Sequence, residues 1–383
     1  MKIALVHDQL QEFGGAERVL VALKKIFPEA DVYTSFYNPK SLGIHAQKFA
    51  GWKIITSWAD KIPLLKRLYS PLRFITPWIW ESFDLRQYDL VISSSGAYMS
   101  KGIITRPQTT HICYLHHQPR YLYYYETAIE WQKYWPVKVY AHWINHDLRI
   151  WDQLSSQRVN FFIANSEETK RRIQKFYRRD ATVIYPPVNI PPTPLRPSGF
   201  TGQADNYYVT VSRLARAKHI DLLIQAANQQ DFSLKIIGTG RDEKYLRSIA
   251  KSNVEFLGAV KDEDFTRILS QAKAFLLAAD DEEFGIAPVD AMGFSLPVIA
   301  LKSGGVPEIV KDGSNGYLFS HLTTSNLMDK IKQLETLTPT EYTQMKKTAR
   351  QTAEKFSEDR FKKAILEFIN KNAWTTGSRN CPP

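Results

Sequence analysis

The sequence predicts two doubly wound α/β domains facing each other across a cleft, and three observations carry that prediction. Short β-branched and apolar runs alternate with stretches of helical period along nearly the whole chain. The alternation breaks at 185–194 (YPPVNIPPTP), where five prolines in ten residues exclude a helix or a central strand. The 383 residues, 44% apolar and 13% aromatic, suffice for two cores and set aside disorder as the main state. The expected boundaries are a first domain over 1–187, a proline-rich linker over 186–194 and a second domain over 195–356.

Taken in order, the run 3–6 reads as a buried first strand ending at His7-Asp8. A loop with Gly14-Gly15 then opens a helix whose Val19, Leu20, Leu23, Ile26 and Phe27 keep helical spacing. Further strands are expected at 31–35, 89–93, 111–115 and 160–164, with a helix over 167–176 after the last. Beyond the linker, strands YYVTVSR, LKIIG, VEFLG, KAFLLAA, PVIAL and GYLF alternate with helices over 219–228, 242–251, 262–271 and 288–293. The end is helical, with Phe361, Ile365 and Phe368 at helical spacing within 356–370. No period of 20 to 50 residues points to a solenoid.

Residues 1–185 hold 25 Lys+Arg against 16 Asp+Glu, a charge of +9, and the rest of the chain carries +2 of the total of +11. That asymmetry fits a first domain facing phosphates, nucleic acid or a lipid surface, or a plainly soluble basic face. Cys113 and Cys381 form neither a disulfide framework nor a zinc spacing, which points to a reducing compartment. The opening MKIALVHDQL is too short an apolar run for a signal peptide, and no run approaches the ~18 to 20 apolar residues of a spanning helix. A cytoplasmic protein is expected, at most peripheral on the cytoplasmic face of a membrane.

Four motifs carry chemistry. In FGGAERV, Gly14 and Gly15 at a strand-to-helix turn let backbone amides approach a phosphate at a helix N-terminus, or make an ordinary turn. In VSRLARAKHIDLL, Arg213 and Lys218 flank the loop after the first strand of the second domain and suit a cationic clamp for a diphosphate. In AADDEEFGIAPVDAMG, the run KAFLLAA delivers acids into a loop where Gly285 allows a tight turn. There Glu282 and Asp290 lie eight apart, one in the loop and one in the first helical turn, a spacing that suits sugar hydroxyls; Asp280 and Asp281 read as solvated loop. In KSGGVPEIV, Gly304-Gly305 precedes a short helix whose amides suit a phosphate or a polar sugar edge. The string Asp262-Glu263-Asp264 opens a helix with Asp262 as its cap and reads as structural rather than metal-binding.

In this order, GGAERV, SRL-x3-K, EEFGIAPVD and GGVPEIV resemble the retaining glycosyltransferases of family four, of GT-B fold, along nearly the whole chain. The resemblance implies a nucleotide-sugar in the interdomain cleft, with Arg213 and Lys218 on the diphosphate and Glu282 at the donor sugar. It places Asp290, where the family usually has Glu, at the ribose, one methylene shorter. Gly14, Gly15, Gly238, Phe284, Gly285, Ile286, Gly304 and Gly305 would line the donor site. Aligning HICYLHHQPR places His116 where the family has a histidine that meets the donor sugar or steers the acceptor. His117 and Gln118 stand in for a small residue and Pro, and His117 and Arg120 become acceptor-side candidates. FSEDRFKKAILEF resembles the family's last helix, which crosses back to the first domain over about 357–383.

On this reading the departing diphosphate is met by Arg213, Lys218 and helix N-termini, with no metal or cofactor beyond the nucleotide-sugar, GDP- or UDP-linked. EEFGIAPVDAM looks most like mannosyl-transferring relatives, which favours GDP-mannose. For the acceptor, residues 58–80 mix Trp, Tyr, Leu and Ile with Lys61, Lys66, Arg67 and Arg73, which suits an anionic membrane interface and a lipid-linked saccharide in cell-surface polysaccharide or glycoconjugate assembly. A helical cap packed on the core fits the same residues. Two other classes rank lower. A nucleic-acid-binding protein would use the basic half and RRIQKFYRR but has no use for Glu282 and Asp290. A dinucleotide oxidoreductase would need a third glycine that Gly238-Thr239-Gly240 lacks.

Overall fold

A computed structural model describes residues 1–126, 134–191 and 207–373. Linker residues 192–194 and the tail from 374, with Cys381, lie outside the described residues. The chain divides into two compact units: Met1–Tyr125, Glu130–Pro187 and Glu358–Pro383 form the first, and Glu126–Ile129 with Val188–Ser357 the second.

The first unit is built on seven strands: β1 (Ile3–His7), β2 (Asp31–Thr34), β3 (Ile54–Thr56), β4 (Leu90–Ser95), β5 (Thr110–Leu115), β6 (Phe161–Ala164) and β7 (Ala181–Val183). Their order is β3-β2-β1-β4-β5-β6-β7, and every pairing is parallel. The sequence reading lacks β3 and β7 because three residues are too few for a period of two to show. The chain walks outward from β1 to β3 and resumes on the other side at β4, so the strand order reverses between β1 and β4. Ligands in open parallel sheets bind beyond the carboxyl ends of strands at such a reversal.

Both faces of this sheet are covered, which is why its strands are apolar on both sides. The helix Gly15–Ile26 sets Val19, Leu20 and Leu23 against Leu5, Ile92 and Ile112. The helix Glu358–Ala373 adds Phe361, Ile365 and Phe368 to that core, with Phe361 edge-on to Tyr114 at 6.0 Å. On the opposite face Val6, Val91, Ile79 and Trp80 form a second cluster. Burying a side chain such as Ile365 contributes roughly 1.5–3 kcal/mol, so the C-terminal helix is a structural part of a unit it follows by 170 residues of sequence.

The second unit carries β8 (Tyr207–Val211), β9 (Ser233–Ile237), β10 (Val254–Gly258), β11 (Ala274–Leu277), β12 (Val298–Leu301) and β13 (Gly316–Phe319) in the order β10-β9-β8-β11-β12-β13, again all parallel. Its reversal lies between β8 and β11. Helices Ile220–Gln230 and Thr324–Glu335 bury Leu223, Ile224, Leu327 and Ile331 against Leu234, Ile236, Leu276 and Ile299. In Asp262–Gln271 the N-cap is Lys261, so Asp262 is the first helical residue rather than the cap; Asp264 pairs with Arg267 at 2.9 Å.

His111 on β5 is wholly buried, with Nε2 2.8 Å from Ser93 Oγ. Burial, and then the charges of Arg158 and Lys101, hold its pKa down to about 3 against an ordinary 6.5. The folded chain therefore keeps this imidazole neutral while the unfolded chain takes up a proton below pH 6.5. Its stabilising contribution is complete above pH 6.5 and shrinks as pH falls towards 3, by about 2 kcal/mol at pH 5. We expect His111→Gln, which keeps a polar atom facing Ser93 but does not titrate, to flatten the loss of the first unit's thermal stability between pH 7 and pH 5. An unchanged slope would remove His111 as its source.

Candidate functional site

In the second unit, the strand reversal gathers four loops at the carboxyl edge of the sheet. The chain leaves β8 at Ser212-Arg213, with Arg213 exposed, and makes a single 3-10 turn over Arg216–Lys218. His219, in a left-handed conformation (φ 47°), then starts the helix Ile220–Gln230. Lys218 thus belongs to the turn rather than to the helix. From β11 the chain runs through Ala278-Ala279 into the acidic loop, where Glu282 Oε2 accepts a hydrogen bond from Lys218 Nζ. Both side chains are about one-fifth exposed, at 20% each. The two residues expected on diphosphate and sugar are therefore held against each other.

The glycines are required by backbone contact. A Cβ on Gly238 would sit 1.9 Å from the Ser212 carbonyl oxygen, and one on Gly304 2.1 Å from that of Glu282. Gly238 and Gly304 also have positive φ, 133° and 57°, where a side chain is strained. Gly305 donates its N–H to Glu282 O at 2.7 Å, so this amide fixes the acidic loop. Asp280 is not a solvated loop residue either: its carboxylate accepts from Ser303 Oγ and from the Asp281 amide, tying the two loops together. The Phe284 ring, expected at the donor, is buried edge-on to Phe356 at 5.3 Å.

Gly285 (φ 96°) is the N-cap of the helix Ile286–Gly293, which begins two residues earlier than the sequence suggests, with Ile286 half-buried at its first position. Asp290 is then buried on the second helical turn, not in the first turn where the sequence suggests it. Proline favours the first turn generally, and here Pro288 occupies its third residue.

In the first unit the reversal between β1 and β4 brings together residues from four elements. His116 follows β5 directly; its Nε2 lies 2.7 Å from Ser94 Oγ on β4. Ser94 Oγ lies 3.0 Å from His7 Nδ1 at the end of β1, and His7 Nε2 lies 3.2 Å from Glu17 Oε1. Glu17 Oε2 accepts the Gly14 N–H at 2.7 Å, so that amide is engaged and Gly15 opens the helix N-terminus. Asp8 accepts from the amides of Gly96, Tyr98 and Ser100 at 2.7–3.0 Å and braces the loop after β4. His117 Nδ1 donates to Gln118 O at 2.8 Å, and Arg120 is half-buried in the turn Arg120–Leu122.

The sequence reading missed His7 and Ser94. Their signal is present as polar residues ending otherwise apolar strands, VHD and ISSS. Among the described residues no three His, Cys, Asp or Glu side chains form a group able to hold a metal ion.

The segment 58–80 has two faces. Ile75, Ile79 and Trp80 are buried, and Trp80 Nε1 donates to Tyr98 O at 2.5 Å, so Trp80 is core and not interface. Trp58, Leu64 and Trp78 face outward, with Trp78 60% exposed. The helix Trp135–Gln157 joins them through Tyr140 Oη, which donates to Pro71 O at 2.6 Å, and exposes Trp135 and Trp143. Among the described residues no helix is long and apolar enough to cross a membrane.

Two family models match this chain: Glycosyltransferase Family 4 over residues 13–190 and Glycosyl transferases group 1 over residues 195–352. The chain belongs to glycosyltransferase family 4. Within that family it is similar to the GtfA subunit of the UDP-N-acetylglucosamine–peptide N-acetylglucosaminyltransferase of Streptococcus pneumoniae, 24% identical over 318 residues, 78% of this chain and 58% of that protein. It is 35% identical over 144 residues, 32% of this chain and 38% of that protein, to a GDP-mannose-dependent phosphatidylinositol monomannoside mannosyltransferase of Corynebacterium glutamicum. The chain thus spans less than two-thirds of the length of these relatives. Among solved structures, Anabaena HepE in complex with UDP and glucose superposes with a TM-score of 0.70 at 20% identity, covering 97% of this chain and 100% of that one, and shares the two-sheet GT-B fold.

The close backbone approach at Gly304 gives a direct test of the loop architecture. Gly304→Ala meets both the Glu282 carbonyl and a positive φ, and we expect it to lower the second unit's stability by about 2 kcal/mol or more in thermal melts. A variant as stable as the parent would show that the two loops do not touch.

Proposed function

We propose that this family 4 chain transfers a hexose, with retention of configuration, from a nucleoside diphosphate sugar to a saccharide acceptor. The observation that carries the proposal is the contact of Lys218 with Glu282 at the strand reversal of the second unit, with Arg213 exposed at the start of the same loop as Lys218. Departure of the diphosphate builds negative charge on its oxygens, and two cations at fixed loop positions stabilise it. Glu282 serves the sugar hydroxyls, and Asp290, Gly285 and Ile286 belong to the nucleoside side of the site. In this scheme the diphosphate oxygen on the departing face takes the acceptor's proton, which needs neither a carboxylate nucleophile nor a metal. His116 supplies a hydrogen bond to a hydroxyl of the reacting sugars, with His117 and Arg120 on the acceptor.

GDP-mannose is the proposed donor, in keeping with the GDP-mannose-dependent relative; UDP-linked sugars are the competing donors, given the UDP-dependent relative and the UDP complex of HepE. The proposed acceptor is a saccharide on a lipid carrier at an anionic membrane surface, as in cell-surface polysaccharide or glycoconjugate assembly. Its support is the exposure of Trp58, Leu64, Trp78, Trp135 and Trp143, together with exposed Lys61, Arg67 and Lys138 in the same two segments. Aromatic rings next to cations suit a lipid headgroup boundary, and the chain would work there as a peripheral cytoplasmic enzyme.

The deciding experiment measures nucleoside diphosphate release from GDP-, UDP-, ADP- and dTDP-sugars in the presence of a chelator. One donor should be hydrolysed slowly, and Arg213→Ala should weaken binding of its nucleoside diphosphate by about tenfold or more. Glu282→Gln removes a carboxylate that competes for Lys218. It should tighten that binding by roughly fivefold, about 1 kcal/mol, while abolishing turnover. Absence of turnover and of nucleotide binding across the panel would overturn the proposal.

For the membrane, Trp78→Ser with Trp143→Ser should cut co-sedimentation with phosphatidylglycerol vesicles by about tenfold, since a buried aromatic contributes roughly 1.5–3 kcal/mol. Equal sedimentation of parent and variant would exclude this face.

A further inference from the structure

The chain of contacts behind His116 has a direction that its chemistry dictates. Glu17 is at the closed end, and an ionised carboxylate only accepts hydrogen bonds. Its Oε2 accepts from Gly14 N–H at 2.7 Å, and its Oε1 lies 3.2 Å from His7 Nε2, so the His7 proton sits on Nε2. With that one proton on its ring, His7 presents a lone pair on Nδ1, to which the Ser94 hydroxyl donates across 3.0 Å. Having donated its one proton, Ser94 Oγ accepts from His116 across 2.7 Å, which puts the His116 proton on Nε2 and a lone pair on Nδ1.

All four residues are at least nine-tenths buried, so solvent offers little alternative partner. The His116 main chain is pinned as well: its N–H donates to Ser95 O at 2.8 Å and its carbonyl accepts from Asn165 Nδ2 at 2.9 Å. Ring position and tautomer are thus set by separate groups.

We propose that Glu17, His7 and Ser94 are positioning residues that hold His116 in its Nε2–H tautomer, so that Nδ1 accepts a hydrogen bond from a sugar hydroxyl. The proposal rests on the reading above, in which His116 meets the reacting sugars. It assigns to the acid of GGAERV a task beyond its glycine turn: one carboxylate sets both the Gly14 amide and, three groups away, the acceptor face of His116. A wrongly placed imidazole proton would offer the hydroxyl a donor where it needs an acceptor.

The test reads the tautomer directly, from the ring-nitrogen NMR signals of 15N-histidine-labelled full chain, and compares it with donor turnover. The parent should show His116 as Nε2–H. Glu17→Gln keeps the shape, but an amide either donates or accepts, so the chain loses its direction. His116 should then become a tautomer mixture, with kcat reduced about tenfold or more and KM for the donor nearly unchanged. If that variant does not fold, Ser94→Ala breaks the chain next to His116 without touching the glycine turn and should give the same two readouts.

An Nδ1–H His116 in the parent, or a tautomer unaffected by both substitutions, overturns the positioning role whatever the activity. A tautomer that shifts while turnover holds, together with an active His116→Ala, overturns it through the other route, by removing His116 from the reaction.

Discussion

Parallel strand pairing is the constraint on which both candidate sites depend. In a parallel sheet every strand ends at the same edge, so residues remote in sequence gather there with no need for contact between the loops that bear them. In the first unit His7, Ser94 and His116 end or follow β1, β4 and β5, more than a hundred residues from first to last, yet lie within 3.0 Å of one another in succession. In the second unit the same geometry brings Lys218, after β8, to Glu282, after β11. Placing these strands at the reversal leaves room beyond their ends, because neighbouring connections run to opposite sides of the sheet.

The two carboxylates at these edges differ in what displaces them. Lys218 and Glu282 each keep about one-fifth of their surface exposed, and a pair of that kind contributes on the order of 1 kcal/mol or less. A diphosphate making several charge-assisted hydrogen bonds, at about 1.5–3 kcal/mol each, outcompetes it. Glu17 and His7 are buried, and breaking their contact leaves Glu17 Oε1 desolvated with only the Gly14 amide still bonded to the carboxylate, at a cost of about 1–3 kcal/mol. The first pairing is therefore exchangeable on ligand binding, whereas the second persists as part of the fold.

Alternation and the proline run make the two-sheet architecture legible in the sequence, together with the strand ends that bear Arg213, Glu282 and His116. Legibility stops where tertiary contact decides. The three-residue strands β3 and β7 are held by edge pairing rather than by pattern. Gly238, Gly304 and Gly305 look like phosphate-binding glycines, but their reason for being glycine is a facing carbonyl about 2 Å from any Cβ, and nothing local reports it. Asp290 moves to the second turn because a left-handed Gly285 starts the helix earlier than Pro288 suggests. His7 and Ser94 were invisible as a pair since neither lies near the other in sequence.

The segment 58–80 shows why composition alone leaves two readings open. Its prolines divide it into short pieces, and each piece turns one side inward: Ile75, Ile79 and Trp80 satisfy the core reading. The other side keeps Trp58, Leu64 and Trp78 outside, continued by Trp135 and Trp143 on a separate helix fastened through Tyr140. The core beneath already holds aromatic rings: Trp80 lies edge-on to Tyr98 at 6.3 Å and tilted against Phe83 at 5.9 Å. Scattered exposed aromatics would need no explanation, but several of them on two elements linked by Tyr140, in the half of the chain that carries most of the positive charge, would suit an anionic boundary, as proposed above, better than either feature alone.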